Sequence, residues 1–240
     1  MTDAAPADLD IRDVTVRYGG VIALDAVSLR VARGGVVGLI GPNGAGKTTL
    51  VNAITGIVAP QSGTIALGAT RVDRLAQHRV ARAGIVRTYQ NIRLFAALSV
   101  GDNVRAGALA QRAPLSDTNA RALLERAGMT HLDLRRRAGS LPYGEQRRLE
   151  IARALAAQPA IVLLDEPAAG MNAAETRALR DVIANLARAG VGVLLIEHDM
   201  SLVGAVCDRV VVLNFGKTIA VGTPGDVARD PAVVEAYLGT

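Results

Sequence analysis

Residues 41–49 have the sequence GPNGAGKTT, and this stretch decides the fold. It matches the pattern G-x-x-x-x-G-K-[ST] and lies between an apolar run, GVVGLI (35–40), and a segment of helical character, KTTLVNAITGIV (47–58). Glycines allow backbone N–H groups to curl around a phosphate, and a helix N-terminus adds positive potential. The sequence therefore predicts a strand, a phosphate-binding loop and a helix in succession, with a nucleoside triphosphate as the ligand.

The polar side chains of this loop have expected roles at the phosphates. Lys47 is expected to neutralise the β and γ oxygens, and Thr48 to offer its hydroxyl to Mg²⁺. An ordinary glycine-rich turn is the alternative, and the flanking strand and helix disfavour it. The loop residues predicted to contact nucleotide are Gly41, Pro42, Asn43, Gly44, Ala45, Gly46, Lys47, Thr48 and Thr49.

A second acidic motif, IVLLDEP (161–167), supplies the other half of the predicted site. Its apolar strand delivers Asp165 to the carboxyl end of the sheet, where α/β folds bind ligands. Asp165 is expected to hold Mg²⁺ through water, and Glu166 to orient the attacking water as a catalytic base. A strand that ends in solvated acids is the alternative, and the phosphate loop makes it the weaker one.

The apolar pattern along the chain predicts strands that alternate with helices. Alternating residues at 9–18 and 21–31 favour two antiparallel strands. Further apolar runs alternate with a helix predicted over 173–189, which favours a parallel sheet covered on both faces. These runs lie at 161–164, 193–196 and 210–213.

The middle of the chain has helical spacing instead, most clearly in SVGDNVRAGALAQR (99–112) and SDTNARALLERAGM (116–129). We therefore expect one α/β domain in three parts. Residues 1–90 and 156–240 form the core with its N-terminal β subdomain, and residues 91–155 form an inserted helical subdomain.

Composition excludes several other classes of protein. The chain has 27 basic and 22 acidic residues, a net charge of +5, and neither a basic tail nor an aromatic-rich basic patch that would indicate nucleic acid binding. The single cysteine, Cys207, excludes an internal disulfide and a cysteine-based zinc site. Residues 1–10 lack the features of a signal peptide, and the longest charge-free stretch, 48–70, contains Asn, Gln, Pro and three Gly, so neither a leader nor a membrane helix is expected.

Four further elements narrow the class. LPYGEQRRLEIARAL occupies residues 141–155, Gln90 lies in RTYQN, His198 follows the run LLIE, and Tyr18 precedes two glycines. The order and spacing of these elements resemble the ATP-binding cassette (ABC) ATPases across essentially the whole chain. In that family two subunits face head to tail, and each ATP lies between one phosphate loop and the other subunit's signature motif.

The resemblance implies roles for these residues. Tyr18 would stack on adenine, His198 would contact the γ-phosphate, and Gln90 would link Mg²⁺ to a transmembrane partner. The signature residues expected to contact nucleotide across the dimer are Leu141, Tyr143, Gly144 and Glu145.

One further residue, Asn172, lies in the loop that meets the partner in that family. It is equally well a helix N-cap, since Asn172 and Glu175 form an N-x-x-E box.

The signature departs from the common L-S-G-G-Q form, and the departures point to a subfamily. Pro142, Tyr143 and Glu145 replace serine, glycine and glutamine, so the backbone N–H groups at the helix start must contribute more to anion binding. RTYQNIRLF, LPYGEQRRLEIARAL, EPAAGMN and the tail VVEAYLG (233–239) together resemble the LivG-type ATPases of branched-chain amino acid importers.

These observations predict an ATP-hydrolysing subunit that energises an importer of branched-chain amino acids. Its expected partners are transmembrane permease subunits, a second ATPase subunit and, indirectly, a periplasmic solute-binding protein, which implies a peripheral position on the cytoplasmic face of the inner membrane. An importer of urea, amides or another small solute is the alternative. A soluble non-transport ABC ATPase and a P-loop kinase fit less well, because the chain has one cassette and a kinase would leave LPYGEQ and His198 without a role.

Overall fold

The computed structural model describes residues 7–109 and 114–238. Local sequence accounts for most of its strands, since β-branched and leucine residues dominate them. The strands are β1 (Leu9–Tyr18), β2 (Val21–Val31), β3 (Val36–Ile40), β4 (Ser62–Leu67), β5 (Thr70–Arg71), β6 (Ile85–Arg87), β7 (Ile161–Asp165), β8 (Gly192–Ile196), β9 (Arg209–Asn214) and β10 (Lys217–Gly222).

The helices begin mostly at polar residues that cap their first turn, such as Ser99, Ser116 and Asp199. They are α1 (Lys47–Ile54), α2 (Gln77–Ala83), α3 (Val100–Gly107), α4 (Asp117–Arg126), α5 (Tyr143–Leu155), α6 (Ala173–Arg188), α7 (Met200–Val206), α8 (Pro224–Val227) and α9 (Pro231–Leu238), with a short 3₁₀ turn at Ala138–Ser140 before α5.

Two sheets form the framework. An antiparallel sheet has the order β2-β1-β4-β5, and a six-stranded sheet has the order β10-β9-β3-β8-β7-β6. In the six-stranded sheet β9, β3, β8, β7 and β6 pair in parallel, and β10 pairs antiparallel at the edge. The predicted α/β fold with an N-terminal antiparallel sheet is confirmed.

Both faces of the parallel sheet are buried, as its apolar strands predict. Along β3, Val37 and Leu39 face a core shared with the antiparallel sheet and α1, while Val36 and Ile40 face a second core built with α6. Successive side chains of a strand point to opposite faces, so a short all-apolar strand supplies both cores.

The helical segment has a third core, and α5 joins it to the sheet. Leu149 and Ala152 of α5 pack with α3 and α4, whereas Ile151 and Leu155 pack against the sheet. The division of the chain at 90/91 and 155/156 stays a prediction.

Parts of two sequence-based expectations lie outside the described residues. The helix expected over 99–112 is observed as α3, and residues 110–112 are not described. Residues 1–6, which belong to the segment 1–10 where no leader is expected, are also not described.

Candidate nucleotide site

The phosphate loop connects β3 to α1 and is shaped by two glycines. Gly41 has φ 147°, and a Cβ there would overlap the carbonyl group of Leu213. Gly46, the residue before α1, has φ 105°, and a Cβ there would lie 2.8 Å from the carbonyl oxygen of Ala23. Only glycine adopts these conformations at such close approach without strain. The loop geometry is therefore built into the sequence.

Lys47 opens α1 and folds back over the loop. Its Nζ donates hydrogen bonds to the carbonyl oxygens of Gly41 at 2.5 Å and Pro42 at 3.0 Å. Partial burial lowers the pKa of Lys47, and the nearby carboxylates of Glu166 and Asp165 oppose that shift. The ammonium group thus lies near enough to Asp165, the last residue of β7, and to Glu166 for their charges to act on it.

A cleft of about 360 Å³ opens over this loop. Residues 43–49 line it together with Glu166, so the phosphate loop and the predicted base share one cavity. The remaining wall is apolar and was not predicted. It consists of Val21, Ile22, Ala23, Phe215 and Gly216.

Phe215 had a signal that sequence analysis left unused. The signal is its rarity, since it is one of two phenylalanines in the chain. In the structure it is 84% exposed and has φ 44° beside Gly216 at φ 76°. A bulky residue in the left-handed region is strained, and such residues cluster at functional sites.

Asp165 ends β7 and makes a buried ion pair. Its Oδ2 accepts a hydrogen bond at 2.6 Å from Nη2 of Arg87, and the two side chains are 10% and 9% exposed. Arg87 also donates through Nη1 to Oδ1 of Asn52 in α1, at 2.8 Å. No local pattern indicates this arginine, because 78 residues separate the two partners.

Glu166 follows Asp165 and points at Gln90. Its Oε2 accepts a hydrogen bond from Nε2 of Gln90 at 2.8 Å. The backbone of Glu166 is in the left-handed region, with φ 45°, and its N–H donates to the carbonyl oxygen of Ile196 at 2.9 Å. The structure therefore brings three predicted residues (Lys47, Glu166 and Gln90) to one edge of the sheet.

Glu197 is a buried acid that sequence analysis missed. It lies between β8 and His198 and accepts hydrogen bonds from the N–H groups of Ala168 at 3.0 Å and His198 at 3.2 Å. Burial raises the pKa of Glu197, although these backbone donors favour its charged form. Glu197 thus ties the loop after Glu166 to the segment that carries His198.

His198 and Tyr18 lie at the margins of the site. The imidazole of His198, two residues after the end of β8, is 66% exposed. Tyr18 ends β1, is half exposed and pairs with Val21. Among the described residues, neither lines the cleft over the phosphate loop. Their contacts with γ-phosphate and adenine stay predictions.

The signature motif is held by a buried ion pair on α5. Arg147 is wholly buried, and its Nη1 donates to Oε2 of Glu150 at 2.9 Å. The same guanidinium donates to the carbonyl oxygens of Tyr89 at 2.5 Å and Gln90 at 2.6 Å. Arg147 therefore fixes the backbone that carries Gln90.

The predicted signature residues surround the start of α5. Leu141 is buried, and Tyr143 is 42% exposed beside Gly170. A Cβ on Gly144 would lie 2.6 Å from Oε1 of Glu175 in α6, so glycine allows the two helices to approach. Glu145 keeps Oε1 at 3.8 Å from Nε2 of His131, while its Oε2 is buried without a hydrogen-bond partner among the described residues. None of the described signature residues lines the cleft over the phosphate loop of the same chain.

The predicted cap at Asn172 is present. Its Oδ1 accepts hydrogen bonds from the N–H groups of Ala174 and Glu175, and Oε2 of Glu175 accepts one from the N–H of Asn172. This capping box fixes the start of α6. The structure supports the structural interpretation of Asn172 and leaves its contact across a dimer a prediction.

A strand, a glycine loop with its lysine, and acids at the carboxyl ends of parallel strands define a P-loop nucleotide-binding protein. The model of the ABC transporter family matches residues 24–169, and that of the C-terminal region of branched-chain amino acid ATP-binding cassette transporters matches residues 217–240. The chain belongs to the ABC transporter family, as the motifs predicted. It is an ATP hydrolase of the transport-coupled class.

Three comparisons illustrate how closely the chain resembles known cassettes. It is 42% identical to the high-affinity branched-chain amino acid transport ATP-binding protein LivG of Salmonella typhimurium, over 96% of this chain and 97% of that protein. It is also 40% identical to the lipopolysaccharide export system ATP-binding protein LptB of Escherichia coli, over 97% and 98%. The crystal structure of the ADP conformation of MJ1267, an ATP-binding cassette of an ABC transporter, superposes with a TM-score of 0.88 at 30% identity, covering 98% of this chain and 99% of that one.

No helix in the described ranges 7–109 and 114–238 is both long enough and apolar enough to span a membrane.

Proposed function

We propose that this chain hydrolyses Mg-ATP to energise an importer of branched-chain amino acids. The match of residues 217–240 to the C-terminal model of branched-chain amino acid cassettes carries the choice of solute. Overall identity alone does not decide it, because LivG and LptB, which serve an importer and an exporter, resemble the chain almost equally.

The donor set at the site fits Mg²⁺. Thr48 offers a hydroxyl in the cleft, Asp165 a carboxylate at the end of β7, and Gln90 an amide oxygen on the side chain that already contacts Glu166. Magnesium prefers oxygen ligands and is commonly held by one or two carboxylates together with substrate phosphates. When bound, Mg²⁺ would neutralise charge that develops on the phosphates.

Lys47 would bind the phosphates, and Glu166 would act on the attacking water. The backbone N–H groups of the phosphate loop bind the phosphate oxygens, and Lys47 exchanges its hydrogen bonds to the loop carbonyls for contacts with the β- and γ-phosphates. Glu166 then accepts a proton from the attacking water and orients it. Because Gln90 donates to Glu166, movement of Gln90 would control whether this base is free to act.

A second ATPase subunit would complete the site. The start of α5, with Leu141, Tyr143, Gly144 and Glu145, would supply backbone N–H groups to a nucleotide on the facing subunit. On its own subunit, His198 would contact the γ-phosphate, and Tyr18 the adenine. Asn172, besides capping α6, would contact the partner across the dimer.

The permease subunits would dock in a groove between the core and the helical segment. A groove of about 900 Å³ lies beside residues 91–97. Phe95 and Leu109 expose apolar surface in it, and Arg82, Arg93 and Arg153 give it positive charge. Gln90 directly precedes residues 91–97 and donates to Glu166, which suits a residue that links a permease to this base. This arrangement would hold the chain at the cytoplasmic face of the inner membrane, with a periplasmic binding protein delivering solute to the permeases.

Copurification with the permeases encoded beside the gene, followed by reconstitution in liposomes, tests this function. Leucine, isoleucine or valine with the cognate binding protein should stimulate ATP hydrolysis several-fold, and urea, amides and lipopolysaccharide should not. Stimulation by lipopolysaccharide alone would support the export function of LptB and overturn the proposal, and stimulation by urea alone would support the other importer.

Gln90→Ala tests the coupling route in the same preparation. It should abolish the stimulation by solute while the isolated chain keeps its ATP affinity. The matched control is Gln77→Ala. Gln77 is also an exposed amide side chain, and its Nε2 donates to the Tyr89 hydroxyl. An equal fractional loss of activity in the isolated Gln90→Ala chain and in the full transporter would contradict the coupling role.

A further inference from the structure

Arg87 lies between the nucleotide site and the permease groove. On one side it donates to the Asp165 carboxylate and to Asn52, and on the other its side chain lines the groove. About nine-tenths of the side chain is buried, and its Nε has no hydrogen-bond partner among the described residues. Arg87 is therefore held by the carboxylate that is expected to serve the metal, together with Asn52 and the Tyr89 ring, whose centroid lies 5.1 Å from the guanidinium carbon.

The pairing has an electrostatic reason. A buried carboxylate without a cation is costly, and the guanidinium at 2.6 Å supplies the positive charge that Asp165 needs. A metal held by Asp165, directly or through water, would lie near the guanidinium that donates to Oδ2, and the two positive charges would repel each other. Each cation therefore weakens the hold of this carboxylate on the other.

We propose that Arg87 is a positioning residue, an internal cation that neutralises Asp165 before Mg-ATP binds and releases this carboxylate when Mg²⁺ arrives. This inference rests on the proposed role of Asp165 toward Mg²⁺. The groove provides space for the released guanidinium, because Arg87 is one of its lining residues. The metal and the permease groove are thereby connected through one side chain.

The test measures how strongly Mg²⁺ improves nucleotide binding. The affinity for a non-hydrolysable ATP analogue, adenylyl imidodiphosphate, is measured by calorimetry with EDTA and at a series of Mg²⁺ concentrations. In Arg87→Met, Asp165 has no internal cation, so metal-free nucleotide is repelled and Mg²⁺ binds more readily. The ratio of the dissociation constant in EDTA to that in saturating Mg²⁺ should rise roughly tenfold, because a hydrogen bond between charged groups has been removed.

Two variants control for lost charge and lost stability. Arg87→Lys keeps a cation beside Asp165 and should restore the wild-type ratio. Arg71→Met removes the arginine that pairs at 2.9 Å with Asp73, a carboxylate only 3% exposed, in the antiparallel sheet away from the cleft. It should leave the ratio unchanged. A site that merely collapses would weaken binding equally in EDTA and in Mg²⁺.

The outcomes separate the inference from the function on which it rests. If Mg²⁺ improves wild-type binding and Asp165→Asn removes that improvement, but Arg87→Met leaves the ratio unchanged or lowers it, the inference about Arg87 is wrong and the metal site stands. If Asp165→Asn changes nothing, both are wrong.

A second measurement needs no folded Arg87→Met protein. The ¹⁵N–¹H signal of the Arg87 Nε group, assigned by its loss in Arg87→Lys, should shift when Mg²⁺ is added to wild-type protein with the analogue. It should not shift when the analogue is added in EDTA. An identical spectrum in both states would overturn the proposed release.

Discussion

The phosphate loop and the signature helix reach their positions by different physical means. The loop depends on local backbone geometry, with Gly41 and Gly46 at positive φ and Lys47 bonded to carbonyls five and six residues earlier. The signature helix is held from a distance, because Arg147 donates to carbonyls 57 and 58 residues earlier in the chain. Nine consecutive residues thus define one half of the site, whereas contacts between distant segments define the other.

This difference predicts that substitutions in the two halves of the site will have different effects on activity and stability. Substitutions of the polar loop side chains should remove nucleotide chemistry at little cost in stability, since those side chains line an open cleft. Substitutions at the buried α5 ion pair should mainly reduce the free energy of unfolding. They should also reduce activity, because Arg147 positions the backbone of Gln90.

The largest effect is expected for Lys47→Ala. Loss of the cation weakens ATP binding and removes charge stabilisation from the transition state, so kcat/KM should fall by about 10⁴-fold or more. Calorimetry and steady-state hydrolysis measure the two losses, and the melting temperature should change little. Lys217→Ala, at the chain's other lysine, is the matched control and should behave as wild type. Unchanged ATP affinity in Lys47→Ala would contradict its assigned role.

Glu166→Gln should separate binding from chemistry. The amide keeps the size of the side chain but cannot accept the proton, so hydrolysis should fall by roughly 10²–10⁴-fold while Mg-ATP still binds. With binding intact, an ATP-bound dimer should accumulate, which light scattering after size exclusion detects. If the partner is a different ATPase, this dimer should form only on mixing the two.

Glu125→Gln, an exposed acid in α4, controls for the loss of one negative charge. Near-normal single-turnover hydrolysis in Glu166→Gln would contradict the base assignment and leave His198 as the next candidate.

Arg147→Met tests the half of the site that is held from a distance. It leaves the buried Glu150 with the Arg93 N–H at 3.2 Å and the weaker contact to Arg153 at 3.7 Å, so the free energy of unfolding should fall by about 3–5 kcal/mol. Chemical denaturation measures this loss. The double variant Arg147→Met/Glu150→Leu removes both charges and should regain much of the stability.

The ATPase activity of the double variant provides the sharper result. If Arg147 positions Gln90, hydrolysis should stay impaired in the double variant although its stability returns. Full recovery of both would show that Arg147 matters only as a partner for Glu150.

The same contrast explains how much the sequence could predict. The strands around the phosphate loop, the acids after β7 and the capping box before α6 follow from local patterns of a few residues, and the structure contains all of them. The α/β fold with its antiparallel sheet was predicted for the same reason. Motif resemblance added Gln90 as a link between Mg²⁺ and a permease, which stays a prediction; its hydrogen bond to Glu166 was not predicted.

The residues that were missed act over long separations. Arg87, Arg147 and Glu150 carry no periodic signal, and their partners are identified only once β6, β7 and α5 are packed together. Glu197 directly follows an apolar run in the sequence, but its hydrogen bond with the Ala168 N–H joins two loops that are distant in the chain. β6 was missed because three residues are too few to show alternation.

The smallest effect is expected at Asn172, where the local and the long-range contributions meet. Asn172→Ala removes the cap of α6, so the protein should lose about 0.5–2 kcal/mol of stability, or roughly 2–4 °C in melting temperature per kcal/mol. Asn172→Asp preserves an N-cap acceptor and adds negative charge at the helix N-terminus, so its stability should match or exceed that of wild type. Glu175→Ala, which breaks the reciprocal bond to the Asn172 N–H, should cost less stability than Asn172→Ala.

If Asn172 acts only as a cap, Asn172→Asp will hydrolyse ATP like the wild type. A stable Asn172→Asp protein with altered ATP-dependent dimerisation would instead establish the contact across the dimer, because the cap is then intact and only the partner-facing group has changed.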